Sequence, residues 1–113
     1  MNFKIKSPST KLEYDAYYYF RWKMLRKEFN QPKGTEKDKL EKDSYHVMLI
    51  NSSKVIIGVG RIHFLLNNSI KIAQIRYMAI HKDFQFKGFG TIILKELESY
   101  AKKYNINNIF LHS

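Results

Sequence analysis

The sequence predicts an α+β fold: a mixed, mostly antiparallel sheet with helices on both faces. Three observations carry this reading. Two stretches place apolar residues at steps of three and four, as amphipathic helices do. Between them lie three extended apolar stretches separated by short turns. A last short apolar stretch follows the second helix, so the chain returns to the sheet after a crossover. With 113 residues the chain has room for one domain and not for two, and residues 1–113 are expected to form it.

The elements follow in order. Phe3-Lys4-Ile5-Lys6 alternates and reads as a strand. Ser9 or Thr10 can cap the next element, and Glu13 stands three residues after Thr10 as in a capping box. Tyr14, Tyr18, Trp22, Leu25 and Phe29 then mark the buried face of a helix over residues 10–28. Asn30 to Thr35 is a loop by its turn residues, and the charged stretch from Glu36 to Asp43 suits a short exposed helix. Residues 45–50 and 55–65 read as a hairpin closed by Asn51-Ser52-Ser53, and 70–80 as the third strand of the meander. Gly58 and Gly60 inside the middle strand indicate a bulge or a close backbone approach. After a loop from His81 to Lys87, residues 88–104 form a helix with Ile93, Leu97, Ala101 and Tyr104 inward. Ile109-Phe110-Leu111 begins a last strand.

Composition narrows the function. There is no cysteine, which excludes disulfides and thiolate metal sites, and the histidines lack metal-ligand spacing, so no metal is expected. No apolar run approaches the ~20 residues that span a bilayer, and the N-terminus lacks a signal-peptide core, so a cytoplasmic protein without membrane contact is expected. The net charge of +10 raises the question of a nucleic-acid partner, as does the aromatic run Tyr17-Tyr18-Tyr19-Phe20. The cations, however, are mostly lysines spread among acidic residues along the whole chain, in a sequence also rich in Ile and Asn. That pattern fits codon composition better than a binding face. The field still favours anionic ligands.

The stretch that carries chemistry runs from Ile75 to Thr91. A buried strand enters a loop, and the loop opens a helix at Gly88 and Gly90. N–H groups in a first helical turn lack intrahelical partners, and the helix dipole adds positive character there. Glycine lets a phosphate approach such a backbone, and Lys87 adds a cation at the rim. No Gly-Lys-Ser/Thr follows, so this is not a P-loop, and the three-glycine dinucleotide spacing is missing.

Gln85-Phe86-Lys87-Gly88-Phe89-Gly90 resembles the Gln/Arg-x-x-Gly-x-Gly/Ala signature of GNAT (GCN5-related) N-acetyltransferases, and it stands between strand and helix as the family has it. The resemblance runs over residues 1–113. Tyr18 to Arg26, Gln31-Pro32-Lys33-Gly34, Gly58-Val59-Gly60-Arg61 and Ile75 to Ala79 look more closely like one bacterial subgroup. That subgroup includes the acetyltransferase-like half of two-domain proteins whose other half is a hot-dog thioesterase. The resemblance implies acetyl-CoA as cosubstrate and transfer of its acetyl group to an amine acceptor that the sequence does not name. It assigns cofactor binding to Met78, Ala79, Ile80, Gln85, Phe86, Lys87, Gly88, Phe89, Gly90 and Thr91. Backbone N–H groups of the loop would hold the pyrophosphate, and one near Met78 would polarise the thioester carbonyl. The family's usual general acid lies on a helix beyond Ser113, so that helix and the last strands of the usual fold are expected to be missing.

Candidate bases are His63, in mid-strand, and Tyr77, which by simple alternation faces the opposite side from Arg76. Glu36, Asp38 and Asp43 lie where the family often shapes the acceptor pocket. A non-catalytic acyl-CoA-binding domain is the alternative reading, with a basic nucleic-acid-binding module behind it. The exposed edge of the last strand would favour self-association.

Overall fold

In a computed structural model, which describes residues 2–112, one five-stranded sheet separates two helices. Met1 and Ser113, the ends of the span expected to form one domain, lie outside the described residues. The strands are β1 (Phe3–Lys6), β2 (Tyr45–Asn51), β3 (Ile56–Asn67), β4 (Ile70–Ile80) and β5 (Ile109–Leu111), in the order β1-β2-β3-β4-β5. The first four pair antiparallel and β5 joins β4 in parallel. The helices are α1 (Lys11–Leu25), between β1 and β2, and α2 (Phe89–Lys103), the crossover from β4 to β5.

The α1 start forms as its sequence dictates. Glu13 N–H donates to Thr10 Oγ1 at 3.1 Å, and the Glu13 carboxylate accepts from Thr10 N–H and Ser9 N–H. The helix ends earlier than its pattern suggests, at Leu25, with a separate 3-10 turn at Lys27–Phe29. Its inward face is also rotated from the expected one. Tyr17, Phe20 and Arg21 are buried, Tyr14, Tyr18 and Leu25 flank them, and Phe29 is exposed. Aromatic residues fill so many positions of α1 that the apolar stripe has no sharp edge, and the partners of Arg21 decide the orientation.

Each sheet face has its own core. Towards α2, Val47, Leu49, Ile57, Ile62, Ala73 and Ile75 pack with Phe89, Ile93, Leu97 and Ala101. The three inward positions expected between Ile93 and Ala101 hold, whereas Tyr104 is exposed. Towards α1, Met48, Val59 and Ala79 pack with Tyr17 and Phe20. The glycines of β3 let α2 close on the sheet. A Cβ at Gly60 would lie 2.8 Å from Ile93 Cγ2 and 3.0 Å from Leu97 Cδ1.

The stretch from Glu36 to Asp43, expected as an exposed helix, is mostly irregular and closes with a 3-10 turn at Glu41–Asp43. It faces the protein: Glu36 is buried, and Asp38 and Glu41 aim at arginines. Charge pattern alone reads as solvated surface, and only the arginines of α1 and β3 turn this segment inward.

Candidate functional site

The site is built around an irregularity in β4. Val59 pairs with Ala79 and Arg61 with Arg76, so Gly60 alone opposes both Tyr77 and Met78. This is a β-bulge, and its first residue, Tyr77, has φ of 58°. The left-handed region costs a non-glycine residue on the order of 1–2 kcal/mol. The Tyr77 ring is clamped by guanidinium groups of Arg21, Arg76, Arg61 and Arg26, whose centres lie 4.3, 4.8, 4.9 and 5.7 Å from its centroid. Cation–π attraction of about 0.5–2 kcal/mol per contact is enough to offset the strain.

The bulge has two consequences. It turns the side chains of Arg76 and Tyr77 to the same face, where both reach Asp38 Oδ2, at 3.4 and 3.5 Å. The expected alternation of these two residues is therefore broken, because the extra residue shifts the strand's phase by one. It also re-phases the main chain. Before the bulge, Ala73 N–H and Ile75 C=O bond outward to the β5 side. After it, His81 N–H donates inward to Ile57 O at 2.7 Å. Alternation then points the backbone groups of Met78 and Ile80 away from β3. The last β5 partner is Leu111, opposite Ile75, so no strand among the described residues pairs with that edge.

The edge leads into the glycine loop. A 3-10 turn at Lys82–Phe84 starts it, and Gln85 Nε2 donates to Ile80 O at 3.0 Å, tying the loop back to the end of β4. Phe86 and Gly88 both have positive φ, 63° and 87°, on either side of Lys87. Successive backbone N–H groups in such a turn converge on a concave anion-binding surface. Among the described residues, the N–H groups from Gln85 to Thr91 have no protein acceptor, and the first helical bond runs from Ile92 N–H to Gly88 O. No acidic residue occupies the first turn of α2, so its dipole is uncompensated there. Ile80, Phe84, Gln85, Phe86, Gly88, Phe89, Gly90 and Thr91 line a groove of about 350 Å³ at this point.

A buried polar cluster lies on the α1 side of the bulge. Arg21 and Arg61 are fully buried. Arg21 donates to Glu41 at 3.0 Å, to Glu36 O at 2.9 Å and to the Tyr17 hydroxyl at 2.8 Å. Arg61 donates to Asp38 at 2.7 Å, to Glu41 at 2.8 Å and to His63 Nδ1 at 3.0 Å. The Tyr17 hydroxyl lies 2.8 Å from His46 Nδ1, and His46 Nε2 lies 2.7 Å from Glu41 O. The carbonyl can only accept, so Nε2 carries the proton and Tyr17 donates to Nδ1. Burial pushes both histidines below their ordinary pKa, and nearby guanidinium charge adds to this. Asp38 goes the other way. Partial burial would raise it, but hydrogen bonds from Arg61 and Leu40 N–H win and hold it at about 2.

The sequence profile of the acetyltransferase (GNAT) family matches residues 11–113. The chain belongs to the GNAT acetyltransferase family. Solved structures of GNAT proteins share its fold. A GNAT-family acetyltransferase from Staphylococcus aureus Mu50 is 19% identical with a TM-score of 0.75, covering 98% of this chain and 73% of its own. Another, from Staphylococcus aureus subsp. aureus USA300_TCH1516, is 22% identical with a TM-score of 0.71, over 100% of this chain and 87% of its own. A predicted acetyltransferase from Clostridium acetobutylicum, solved with acetyl-CoA, is 17% identical with a TM-score of 0.75, over 98% and 80%.

Within this GNAT domain the ten residues assigned to the cofactor fall into one continuous path, the β4 edge followed by the loop and first turn of α2. The candidate bases are engaged within the neighbouring polar cluster. His63 is 2% exposed, its Nδ1 is occupied by Arg61, and its Nε2 has no partner. Tyr77 is buried beneath its arginines. Of the acidic candidates, Asp38 sits in the cluster, Glu36 accepts from Gly34 N–H, and Asp43 is exposed. Sequence reasoning missed Arg21, Arg61, Glu41, Tyr17 and His46. The one available signal was Arg61, the single arginine, lysine or carboxylate in the otherwise apolar β3. Among the described residues no group of three or more histidines and carboxylates is placed to hold a metal ion, and no helix is long and apolar enough to cross a membrane.

Proposed function

We propose that this GNAT protein binds acetyl-CoA along the β4 edge and the loop of residues 85–91, and transfers the acetyl group to an amine. The observation that carries the proposal is the continuity between a strand edge that no strand among the described residues covers and a loop whose N–H groups have no protein acceptor. The outward groups of Met78 and the N–H of Ile80, whose carbonyl accepts from Gln85, suit an extended amide-bearing arm, which would lie against them as an added strand. The converging N–H groups from Gln85 to Thr91 suit a pyrophosphate. Ala79 contributes strand backbone between Met78 and Ile80, with its side chain in the α1 core. Lys87 and Thr91 are exposed at the rim.

In this reading acetyl-CoA supplies the activated acyl group. The attacking amine must be neutral, so it gives up a proton before its nitrogen bonds to the thioester carbon. The carbon–sulfur bond then breaks and the sulfur leaves as a thiol once it gains a proton. Met78 N–H, at the open edge, is positioned to donate to the carbonyl oxygen as negative charge develops on it. Asp38 is too acidic to take the amine's proton at neutral pH, and His63 has its Nδ1 committed to Arg61.

Calorimetric titration with coenzyme A, paired with thiol release from acetyl-CoA in the presence of amines, tests the proposal. Saturable binding with amine-dependent thiol release is expected. Binding without release over a broad amine panel would leave a non-catalytic acyl-CoA-binding domain, and absence of binding would overturn both readings. A nucleic-acid module loses its support from the aromatic run. Tyr17 and Phe20 are buried, Tyr18 packs on Tyr17 and Arg21, and Tyr19 alone of the four is exposed, beside Trp22, so the run offers no platform of successive rings.

A further inference from the structure

The cluster around Tyr77 carries more positive charge than its carboxylates neutralise, and the surplus faces a pocket. Four guanidinium groups surround the ring. Among the described residues only two carboxylates, Asp38 and Glu41, form ion pairs with them. The pairs are also unevenly distributed. Arg21 and Arg61 take the short ones, at 3.0 Å and below. Arg76 has a single long contact to an oxygen of Asp38 that Arg61 already uses. Among the described residues Arg26 forms no ion pair. Its Nε and Nη1 donate to the carbonyls of Thr35 and Leu25, and its Nη2 has no protein acceptor among the described residues.

Arg26 and Arg76 are the two members of the cluster that line a pocket of about 290 Å³, together with Leu25, Tyr77, Met78 and the end of β5 at Leu111 and His112. The pocket opens at Met78, where the acetyl-transfer reading puts the thioester carbonyl. It shares no lining residue with the groove at Gly88, so the pyrophosphate cradle does not account for these cations. Arginine holds carboxylate and phosphate through paired, charge-assisted hydrogen bonds, and the free donors here are of that kind.

Resting on the acetyl-transfer reading, we propose that the acceptor is an amine that also carries an anionic group, a carboxylate or a phosphate, and that Arg26 and Arg76 seat this group beside Met78. The anion completes the charge balance of the cluster and fixes the acceptor's amine at the β4 edge. Arg26 and Arg76 act as specificity-determining residues. The transfer itself is unchanged: the nitrogen–carbon bond forms, the carbon–sulfur bond breaks, the amine's proton leaves to solvent, and the departing sulfur takes a proton from solvent to leave as the thiol.

Thiol release at fixed acetyl-CoA with matched acceptor pools tests this. One comparison sets α-amino acids against their carboxamides, and the other sets phosphorylated primary amines against the dephosphorylated parents. The expected result is kcat/KM at least ~10-fold higher for one anionic pool than for its neutral counterpart, and the pool that wins identifies carboxylate or phosphate. Arg76→Gln and Arg26→Gln should each raise the acceptor KM about 10-fold or more with the KM for acetyl-CoA unchanged. Arg76→Lys should keep part of the preference, and thermal unfolding checks that each variant is folded. Equal use of neutral and anionic pools, or an effect confined to the KM for acetyl-CoA, overturns the proposal. If no pool is acetylated, NMR of the arginine Nε–H groups with coenzyme A present gives a separate readout. A saturable shift with an anionic pool, lost in Arg76→Gln, upholds the anion site while the transfer reading fails. No saturable shift with either anionic pool overturns the site.

Discussion

Gly88 has φ of 87°, and beyond its chain neighbours no atom of the described residues lies within 4 Å of the position its Cβ would take. Space in the protein is therefore not what requires glycine there. The backbone conformation requires it. Gly88→Val strains the turn and puts a branched side chain over the converging N–H groups. The affinity for coenzyme A should fall ~10-fold or more, equivalent to about 1.4 kcal/mol, in calorimetry on the folded variant. Unchanged affinity would remove the loop from the site. Lys87 is exposed, so any pull it exerts on an anionic ligand is screened by solvent and salt. Lys87→Ala should cost a few-fold in affinity at low salt and almost nothing at high salt. An equal loss at both would mean a buried, specific contact.

The glycines of β3 and α2 carry different loads, because helix and strand meet at different distances. At Gly60 an added Cβ would press on Ile93 and Leu97, whose side chains are fixed in the core between α2 and the sheet. Gly60→Ala should destabilise the fold by about 1–3 kcal/mol, read from the denaturant midpoint. At Gly90 the nearest atom to an added Cβ is Ile80 Cγ1 at 3.9 Å, an ordinary contact. Gly90→Ala should leave stability nearly unchanged. A reversed ranking would show that α2 does not pack on β3 as described. The bulge in β4 acts at the same scale. One extra residue places Arg76 and Tyr77 together on the α1 side and sends the backbone of Met78 and Ile80 to the open edge. An uncovered strand edge and a polar cluster thus come from a single irregularity.

The stability of the whole molecule depends on keeping the buried polar cluster in one charge state. His46 and His63 are neutral inside, with folded-state pKa values below the ordinary 6.5. In the unfolded chain they bind protons more readily, so their contribution is present above pH ~6.5 and is lost as pH falls through the folded values. Asp38, lowered to about 2, contributes stability above its ordinary value near 3.8, which is lost as pH drops towards 2. The melting temperature should therefore decline from about pH 7 downward in two stages, the first from the histidines and the second from carboxylates such as Asp38. His46→Gln should flatten the first stage. A melting temperature flat from pH 7 to pH 5 would mean that the cluster does not hold its histidines neutral.

The sequence by itself determined the order of the elements, the capping of α1, the inward face of α2 and the loop at Gly88. Each of these follows from local chemistry: spacing at helical period, a capping box from Thr10 to Glu13, turn residues, and glycines at a helix start. Only the tertiary structure decided the rest. The face of α1 was settled by Arg21, whose carboxylate partner Glu41 is twenty residues away in the chain. The inward turn of Glu36, Asp38 and Glu41 was settled by arginines on other elements. The register shift at Tyr77 was settled by pairing with β3, and a strand's own residues do not reveal it, because a bulge exists only relative to a partner. Long-range charge pairing and strand register depend on contacts between distant segments, and periodicity within one segment does not encode them.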